Sequence, residues 1–180
     1  MSVCPAVIPD VKLFEPKVFG DERGFFFESY NKKVLAAAGV TCEFVQDNHS
    51  RSARNVLRGL HYQVQQPQGK LVRVVAGEIL DIAVDLRRSS PSFGQHVAYV
   101  LSAANRRMIW IPPGFAHGFL VKSEYAECVY KTTDYYAPEH ERTLLWNDPA
   151  LAIEWDLRGE PILSPKDWAG RLLSDCDVYP

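Results

Sequence analysis

Short runs in which apolar and polar residues alternate recur along the whole chain, separated by clusters of glycine, proline, asparagine, aspartate and serine. Alternation with a period of two predicts β-strands, because successive side chains of a strand point to opposite faces. The predicted strands are Val11–Phe19, Phe25–Tyr30, Glu43–His49, Val56–Gln63, Leu71–Ala76, Ile79–Leu86, His96–Leu101, Arg107–Ile111, His117–Val121, Ala126–Thr133 and Leu151–Trp155. Many short strands with turn residues between them are typical of an all-β barrel or sandwich.

Helical signals are confined to two places. The segment Asn31–Ala38 ends in a leucine and three alanines and is followed by Gly39, which predicts a helix terminated by glycine. A second short helix is predicted near Ser164 and Pro165, because serine can cap a helix and proline can take its first position. With no repeat or linker between these elements, we expect residues 1–180 to form a single domain.

The strand predicted at Ile79–Leu86 places its leucines, isoleucine and valine on one face and Asp81 and Asp85 on the other. Two carboxylates on one face can line the mouth of a barrel, but a solvated outer face is the commoner outcome. Arg58 and His61 have opposite parity, so a regular strand would point them apart. Gly59 between them permits a bulge that would bring both side chains to one side.

The amino-acid composition limits the classes of protein to which this chain can belong. A net charge of −2 argues against a nucleic-acid partner, although local arginines could still hold a phosphorylated ligand. The four cysteines form no C-x-x-C pair, and we expect four reduced thiols. The most apolar long stretch, Met108–Val121, is broken by Pro112, Pro113 and Gly114 and is too short to span a bilayer. Without a signal-peptide pattern, the expected location is the cytoplasm, with no membrane partner.

Two segments resemble the metal-binding motifs of the cupin family, which supply two histidines and a glutamate in the first motif and one histidine in the second. In the first, His61 remains, but Gln63 stands at the second histidine position and Lys70 lies close to the glutamate position. In the second, which ends at Phe119, His117 remains. A protonated lysine cannot ligate a divalent ion; it offers three donors and a positive charge. We therefore expect a cupin-type jelly-roll barrel that has no metal and holds an oxyanion.

Eight segments in order are similar to the dTDP-4-dehydrorhamnose 3,5-epimerase family. They are Asp21–Glu28, Gln46–Ser50, Arg58–Gln63, Gln68–Lys70, Pro112–Phe119, Tyr130–Thr133, Pro138–Glu141 and Leu163–Asp167. Each alone is unspecific, but eight in this order and spacing are highly specific, and the resemblance runs from about Ile8 to Trp168.

What the resemblance implies is epimerisation of dTDP-4-dehydro-6-deoxy-D-glucose at C3 and C5, giving the precursor of dTDP-L-rhamnose. Both carbons flank the C4 ketone, so the loss of either proton gives an enolate on the same oxygen. One base, one acid on the opposite face and one oxyanion stabiliser can serve both centres, and no cofactor is needed.

The resemblance also implies roles for four catalytic residues. His61 would be the general base, since an ordinary histidine titrates near neutral pH. Asp167 would hold the other ring nitrogen of His61, although the two residues are far apart in the chain. Tyr130 would return a proton from the opposite face, and Lys70 would stabilise the enolate oxygen.

The remaining residues carried over from the family bind substrate. Arg23, Arg58 and Lys166 are suited to the diphosphate. The other matching positions are Glu28, Gln46, Asn48, His117 and Glu141. Family members are dimers that exchange an N-terminal strand, so we expect a homodimer in which Arg23 and Glu28 serve the partner's site.

The proposed catalytic residues also have simple structural interpretations. Taken singly, His61 is more often a structural histidine, Tyr130 a half-buried strand residue, and Asp167 a carboxylate near a helix start. Three rival functions also stay open: an epimerase that inverts only C3 or only C5, a metal-dependent cupin, and a cupin that binds sugar nucleotides without catalysis. Tyr130 favours double inversion, since loss of the second-face acid is one route to a single inversion.

Overall fold

Two antiparallel sheets face each other in the computed structural model, which describes residues 1–180. The strands are β1 (Ser2–Cys4), β2 (Lys12–Glu15), β3 (Phe19–Asp21), β4 (Gly24–Phe26), β5 (Gln46–Ala53), β6 (Leu57–Gln63), β7 (Lys70–Ala76), β8 (Glu78–Asp85), β9 (His96–Ser102), β10 (Met108–Ile111), β11 (Phe115–Val121), β12 (Tyr125–Thr132) and β13 (Glu141–Thr143). The helices are α1 (Lys32–Ala37) and α2 (Pro165–Trp168). None of the helices is long and apolar enough to cross a membrane.

The larger sheet has the strand order β1-β2-β10-β7-β12-β5, and the smaller has the order β13-β6-β11-β8-β9. A separate hairpin is formed by β3 and β4. Every pairing within the sheets is antiparallel, and consecutive strands often lie in different sheets. This is the predicted cupin-type jelly roll, an all-β barrel with a few short helices.

Strand β8 shows how the barrel is built. Its Ile79 and Ala83 point into the space between the sheets, while Ile82 and Val84 point outward into a second apolar cluster. That outer cluster includes Trp155 and other residues of the C-terminal segment, which covers the smaller sheet. Because both faces of β8 are buried, its sequence is almost continuously apolar. A third cluster lies beneath α1 on the outer face of the larger sheet.

Both predicted helices form, with the expected glycine after α1 and the expected serine cap on α2. The Asn31 side chain accepts hydrogen bonds from the backbone at the start of α1, whose buried Leu35 joins the third cluster. Gly39, at φ +88°, follows the helix end. Ser164 caps α2, and Pro165 takes its first position.

Some predicted strands were wrong. The segment Leu151–Trp155 is not a strand; its apolar residues alternate because Leu151 and Trp155 pack against the smaller sheet, where the Trp155 indole donates to the Trp146 carbonyl. The predicted strand Val11–Phe19 is divided at Pro16 into β2 and β3. The three-residue strands β1 and β13 were not predicted, because three residues are too few to show a period.

Candidate active site

Two histidines stand side by side inside one end of the barrel. His61 on β6 and His117 on β11 are direct register partners, and both point to the inner face of the smaller sheet. The register between these strands shifts by one residue, so that Phe119 is paired with Arg58 instead of Gly59. This shift is the bulge that the sequence predicted, and it turns the side chains of Arg58 and His61 to the same face.

Close packing of two glycines makes room for this bulge. Gly59 has φ +125°, and a Cβ atom there would lie 2.5 Å from the Cα atom of Gly118. A Cβ atom on Gly118 would in turn lie 2.6 Å from the Arg58 carbonyl oxygen. Any side chain at either position would push β6 and β11 apart and displace His61 from His117.

His61 is held by a carboxylate from α2. Its Nε2 atom lies 2.5 Å from Oδ1 of Asp167, which is 3% exposed. The other oxygen of Asp167 accepts a hydrogen bond from the Ser164 hydroxyl at 2.7 Å and one from the Ser164 backbone. Asp167 is also the third residue of the capping box of α2, so the helix cap fixes the carboxylate that orients His61.

The pKa shifts of His61 and Asp167 suit a general base and its supporting carboxylate. Burial lowers the pKa of His61, the hydrogen bond that its ring donates to Asp167 raises it, and the charges of Lys166 and Lys70 lower it further, so the net shift is downward. Burial alone would raise the pKa of Asp167, but its hydrogen bonds with His61 and Ser164 hold that pKa below the ordinary range. At neutral pH the imidazole is therefore free to accept a proton, and the carboxylate can support the cation that results.

The opposite wall carries a lysine and a tyrosine. Lys70 and Tyr130 lie on neighbouring strands of the larger sheet and share the inner face with the buried Thr132. Burial lowers the pKa of Lys70 to about 8, opposed by the negative charges of Glu141 and Asp81. Burial raises the pKa of Tyr130, although the nearby charge of Arg58 lowers it. The tyrosine is thus a protonated donor at neutral pH, and Lys70 is a cation that loses its proton readily.

Most of the predicted binding residues lie around the same cavity mouth. The Gln46 side chain donates to that of Asn48 at 2.9 Å on the inner face of β5. Glu141 accepts two hydrogen bonds of 2.9 Å from Lys166 and one of 3.1 Å from the Tyr136 hydroxyl. Arg58 donates to the Ser52 hydroxyl at 2.9 Å.

Two predicted residues lie apart from the others. Arg23 is in the exposed turn of the β3–β4 hairpin, where its guanidinium pairs with Asp21. Glu28 accepts a hydrogen bond from Asn31 just before α1. Neither contacts His61, Lys70 or any other predicted site residue within the chain.

The carboxylates of β8 are an error of the sequence interpretation. Asp81 and Asp85 are fully buried rather than solvated. Asp81 accepts a 2.9 Å hydrogen bond from Nε2 of His117, whereas Asp85 pairs with Arg87 at the end of the strand. The nearly continuous apolar run around them was the available signal, because a strand buried on both faces has no solvated side.

Gln63, at the position of a cupin metal ligand, holds a loop in place. Its amide donates to the carbonyls of Gln66 and Tyr135, at 2.8 Å and 3.2 Å, and accepts from the Ala137 backbone at 3.0 Å. No group of three or more histidine, cysteine, aspartate or glutamate side chains is arranged to hold a metal ion. The loop fixed by Gln63 carries Tyr136, a contact of Glu141 that the sequence analysis missed.

This arrangement suits proton transfer at a carbon next to a carbonyl. A neutral imidazole on one wall can remove the proton, a cation can stabilise the oxyanion, and a phenol on the other wall can return a proton. The cations Arg58 and Lys166 at the mouth can hold a phosphorylated substituent.

Comparison with known proteins identifies one family. The profile of the dTDP-4-dehydrorhamnose 3,5-epimerase family matches residues 5–175. The dTDP-4-dehydrorhamnose 3,5-epimerase of Pseudomonas aeruginosa is 62% identical over 181 residues, which cover 100% of both chains. That of Salmonella typhimurium is 58% identical over 175 residues, with 96% of both chains covered.

A solved structure agrees with these similarities. The chain superposes with a TM-score of 0.95 on the dTDP-6-deoxy-D-glucose-3,5-epimerase of Legionella pneumophila in complex with dTDP-4-keto-L-rhamnose, at 54% identity. The match covers 98% of this chain and 94% of the Legionella chain.

Proposed function

Because the chain belongs to the dTDP-4-dehydrorhamnose 3,5-epimerase family, we propose that it converts dTDP-4-dehydro-6-deoxy-D-glucose to dTDP-4-dehydro-L-rhamnose by inverting C3 and C5. The product feeds the formation of dTDP-L-rhamnose. The observation that carries this proposal is that His61 and Tyr130 lie on the inner faces of opposing sheets. A sugar ring between them meets a base on one face and an acid on the other, which is what inversion at a carbon requires.

Each inversion is two proton transfers through one enolate. His61 takes the proton from C3 or C5, and the electron pair of the C–H bond moves onto the C4 oxygen. Tyr130 then gives its proton to the opposite face of the same carbon, and the carbonyl re-forms. Exchange with solvent returns His61 to the neutral form and Tyr130 to the phenol before the next inversion.

Lys70 provides the positive charge that stabilises the enolate. Its ammonium makes no hydrogen bond within the protein, so its donors are free to meet the C4 oxygen. Preorganised donors of this kind are typically worth about 3–4 kcal/mol of transition-state stabilisation. His117, the register partner of His61, lies close enough to contact the same part of the sugar.

The mouth of the cavity binds the nucleotide. Arg58 and Lys166 neutralise the diphosphate, and Lys166 exchanges its ion pair with Glu141 for the phosphate oxygens. Gln46 and Asn48 offer amide donors and acceptors beside them. These polar groups fix the position of the sugar relative to His61.

The active form is a cytoplasmic homodimer. The β3–β4 hairpin exposes Phe19, Phe25 and Phe26 by 53%, 62% and 68%, respectively, more apolar surface than a lone hairpin normally presents to water. A second copy would bury these rings and receive Arg23 and Glu28 in its own site.

Turnover of the keto sugar in D₂O, followed by NMR, tests the proposal. The expected result is deuterium at both C3 and C5 with formation of the L-rhamno product, and no exchange at either carbon with His61→Asn. Deuterium at one carbon only would identify a single-centre epimerase. Absence of all exchange would favour a binding protein, and activity that requires bound iron, manganese or zinc would favour a metal-dependent cupin.

A further inference from the structure

A second histidine–carboxylate pair lies beside the first. Asp81 on β8 is 0% exposed, and its Oδ2 atom lies 2.9 Å from Nε2 of His117. Its Oδ1 atom is buried without a hydrogen-bond partner. The surrounding side chains, Ile79, Ala83 and Phe119 among them, belong to the apolar core of the barrel. Burying a carboxylate among apolar side chains costs free energy unless the carboxylate stabilises a nearby cation.

The two pairs share a geometry but differ in how the carboxylate is satisfied. In both, Nε2 of the imidazole faces the carboxylate, and Nδ1 makes no hydrogen bond within the protein. Asp167 is bonded by His61, by the Ser164 hydroxyl and by backbone groups, whereas the side chain of Asp81 is bonded by His117 alone. The charge of Asp81 is therefore the less neutralised of the two.

Asp81 also influences Lys70, since both side chains point into the space between the two sheets. The ionisable groups that influence the Lys70 ammonium come from three strands of the smaller sheet and a helix: Glu141 on β13, Asp81 on β8, His61 on β6 and Lys166 on α2. Burial drives Lys70 toward its neutral form, and only Glu141 and Asp81 oppose this. Glu141 already forms an ion pair with Lys166, whereas the Asp81 side chain has His117 as its one hydrogen-bond partner.

We propose that Asp81 is a positioning residue for the epimerisation, which orients His117 toward the sugar and keeps the ammonium of Lys70 charged for the enolate oxygen. This inference rests on the proposed function. Asp81 itself is closed off from the cavity and touches no substrate; it acts through the two side chains that do.

The substitution Asp81→Asn tests the inference, because it keeps the shape and removes the charge. The expected kcat is lower by about 10- to 100-fold, as for a misplaced reacting group, while KM changes little. The alkaline limb of kcat/KM, where Lys70 loses its proton, is expected to move to lower pH. An unchanged alkaline limb would overturn the proposal, since a purely structural role would not move it.

The matched control is Asp85→Asn. Asp85 is a second fully buried carboxylate on the inner face of β8, but it is held by Arg87, Ser90 and Ser92 and is not among the groups that influence Lys70. Its loss is expected to lower thermal stability and to leave the alkaline limb where it is in the wild type. A shift of equal size in the control would mean that the effect is general, and would contradict a specific role for Asp81.

A measurement without turnover separates this inference from the proposed function. Lysines labelled with ¹³C-methyl groups can be titrated by NMR in the absence of sugar, with Lys70→Arg to assign the signal. Lys70 is expected to titrate near pH 8 in the wild type and lower in Asp81→Asn, or in Asp81→Ser if the asparagine variant does not fold. Identical titrations would overturn the inference even if the enzyme is an epimerase. A lower titration would support it even if the keto sugar is not turned over.

Discussion

His61 carries no second proton at neutral pH because it is buried beside Lys70 and Lys166. Tyr130, on the opposite wall, keeps its proton because burial penalises the phenolate. The same physical cause, desolvation, thus prepares one residue as a base and the other as an acid, since it disfavours the charged form of each. The site needs no large change in protonation before a substrate enters.

At the residue scale, the pH profile of Asp167→Asn is informative. The hydrogen bond that His61 donates to the carboxylate of Asp167 raises the pKa of His61, so its loss lowers that pKa further and moves the acid limb of kcat/KM to lower pH. Because the imidazolium formed in the reaction loses its support, we expect kcat to fall by about 10²- to 10⁴-fold.

Ser164→Ala is the matched control for this prediction. It removes a 2.7 Å hydrogen bond to the other oxygen of Asp167 but leaves the carboxylate and its contact with His61. We expect a much smaller loss of kcat and an acid limb close to that of the wild type. An acid limb that moves upward in Asp167→Asn would contradict the assignment of His61 as the base.

At the element scale, the site depends on two irregular places. The bulge in β6 turns Arg58 and His61 to one face, and the cap of α2 holds Asp167 against His61. Neither is a regular stretch of strand or helix. The bulge is needed because residues of opposite parity, such as Arg58 and His61, can reach one face only where a strand departs from its regular repeat.

Gly59→Ala tests the importance of the bulge. We expect a loss of about 1–3 kcal/mol in the free energy of unfolding beyond that of a control, because the new Cβ atom would overlap the backbone of β11. The control is Gly24→Ala, which has nearly the same φ (+124° against +125°) but no heavy atom within 4 Å of its Cβ position. Chemical denaturation of both variants gives the difference, and equal losses would show that backbone conformation alone matters at Gly59.

At the scale of the whole molecule, the chain forms a barrel that brings together all the predicted site residues except two. Arg23 and Glu28 lie outside the cavity of their own chain, next to an exposed aromatic hairpin. A dimer in which the hairpin reaches the partner would account for both the exposed rings and the missing residues.

Mixing two inactive variants tests whether the site is shared. Subunits carrying Arg23→Ala and subunits carrying His61→Asn each form defective sites, but a mixed dimer has one site with both wild-type residues. After unfolding and refolding together, we expect recovery of about a quarter of the wild-type activity, since half of the dimers are mixed and each has one intact site. Failure to recover activity, with dimers present by light scattering, would place Arg23 in the site of its own chain or outside it.

The sequence was sufficient for features that depend on neighbouring residues. The alternation of Leu71–Ala76 or Ala126–Thr133 predicted strands, and Ser164 with Pro165 predicted a capped helix, because period and caps are set within a few residues. The bulge at Gly59 was also predicted, since the parity of Arg58 and His61 could be counted directly. The order of eight segments was enough to predict the family.

Only the tertiary structure decided what depends on residues far apart in the chain. Asp167 meets His61 across 106 positions, and Asp81 is buried because the larger sheet packs over the inner face of β8. The three residues of β13 form a strand because they pair with the free edge of β6. No pattern in the neighbouring sequence indicates this pairing. Side-chain chemistry is written in the sequence, but pKa shifts and hydrogen-bond partners arise from packing, because they depend on which distant groups exclude water from each other.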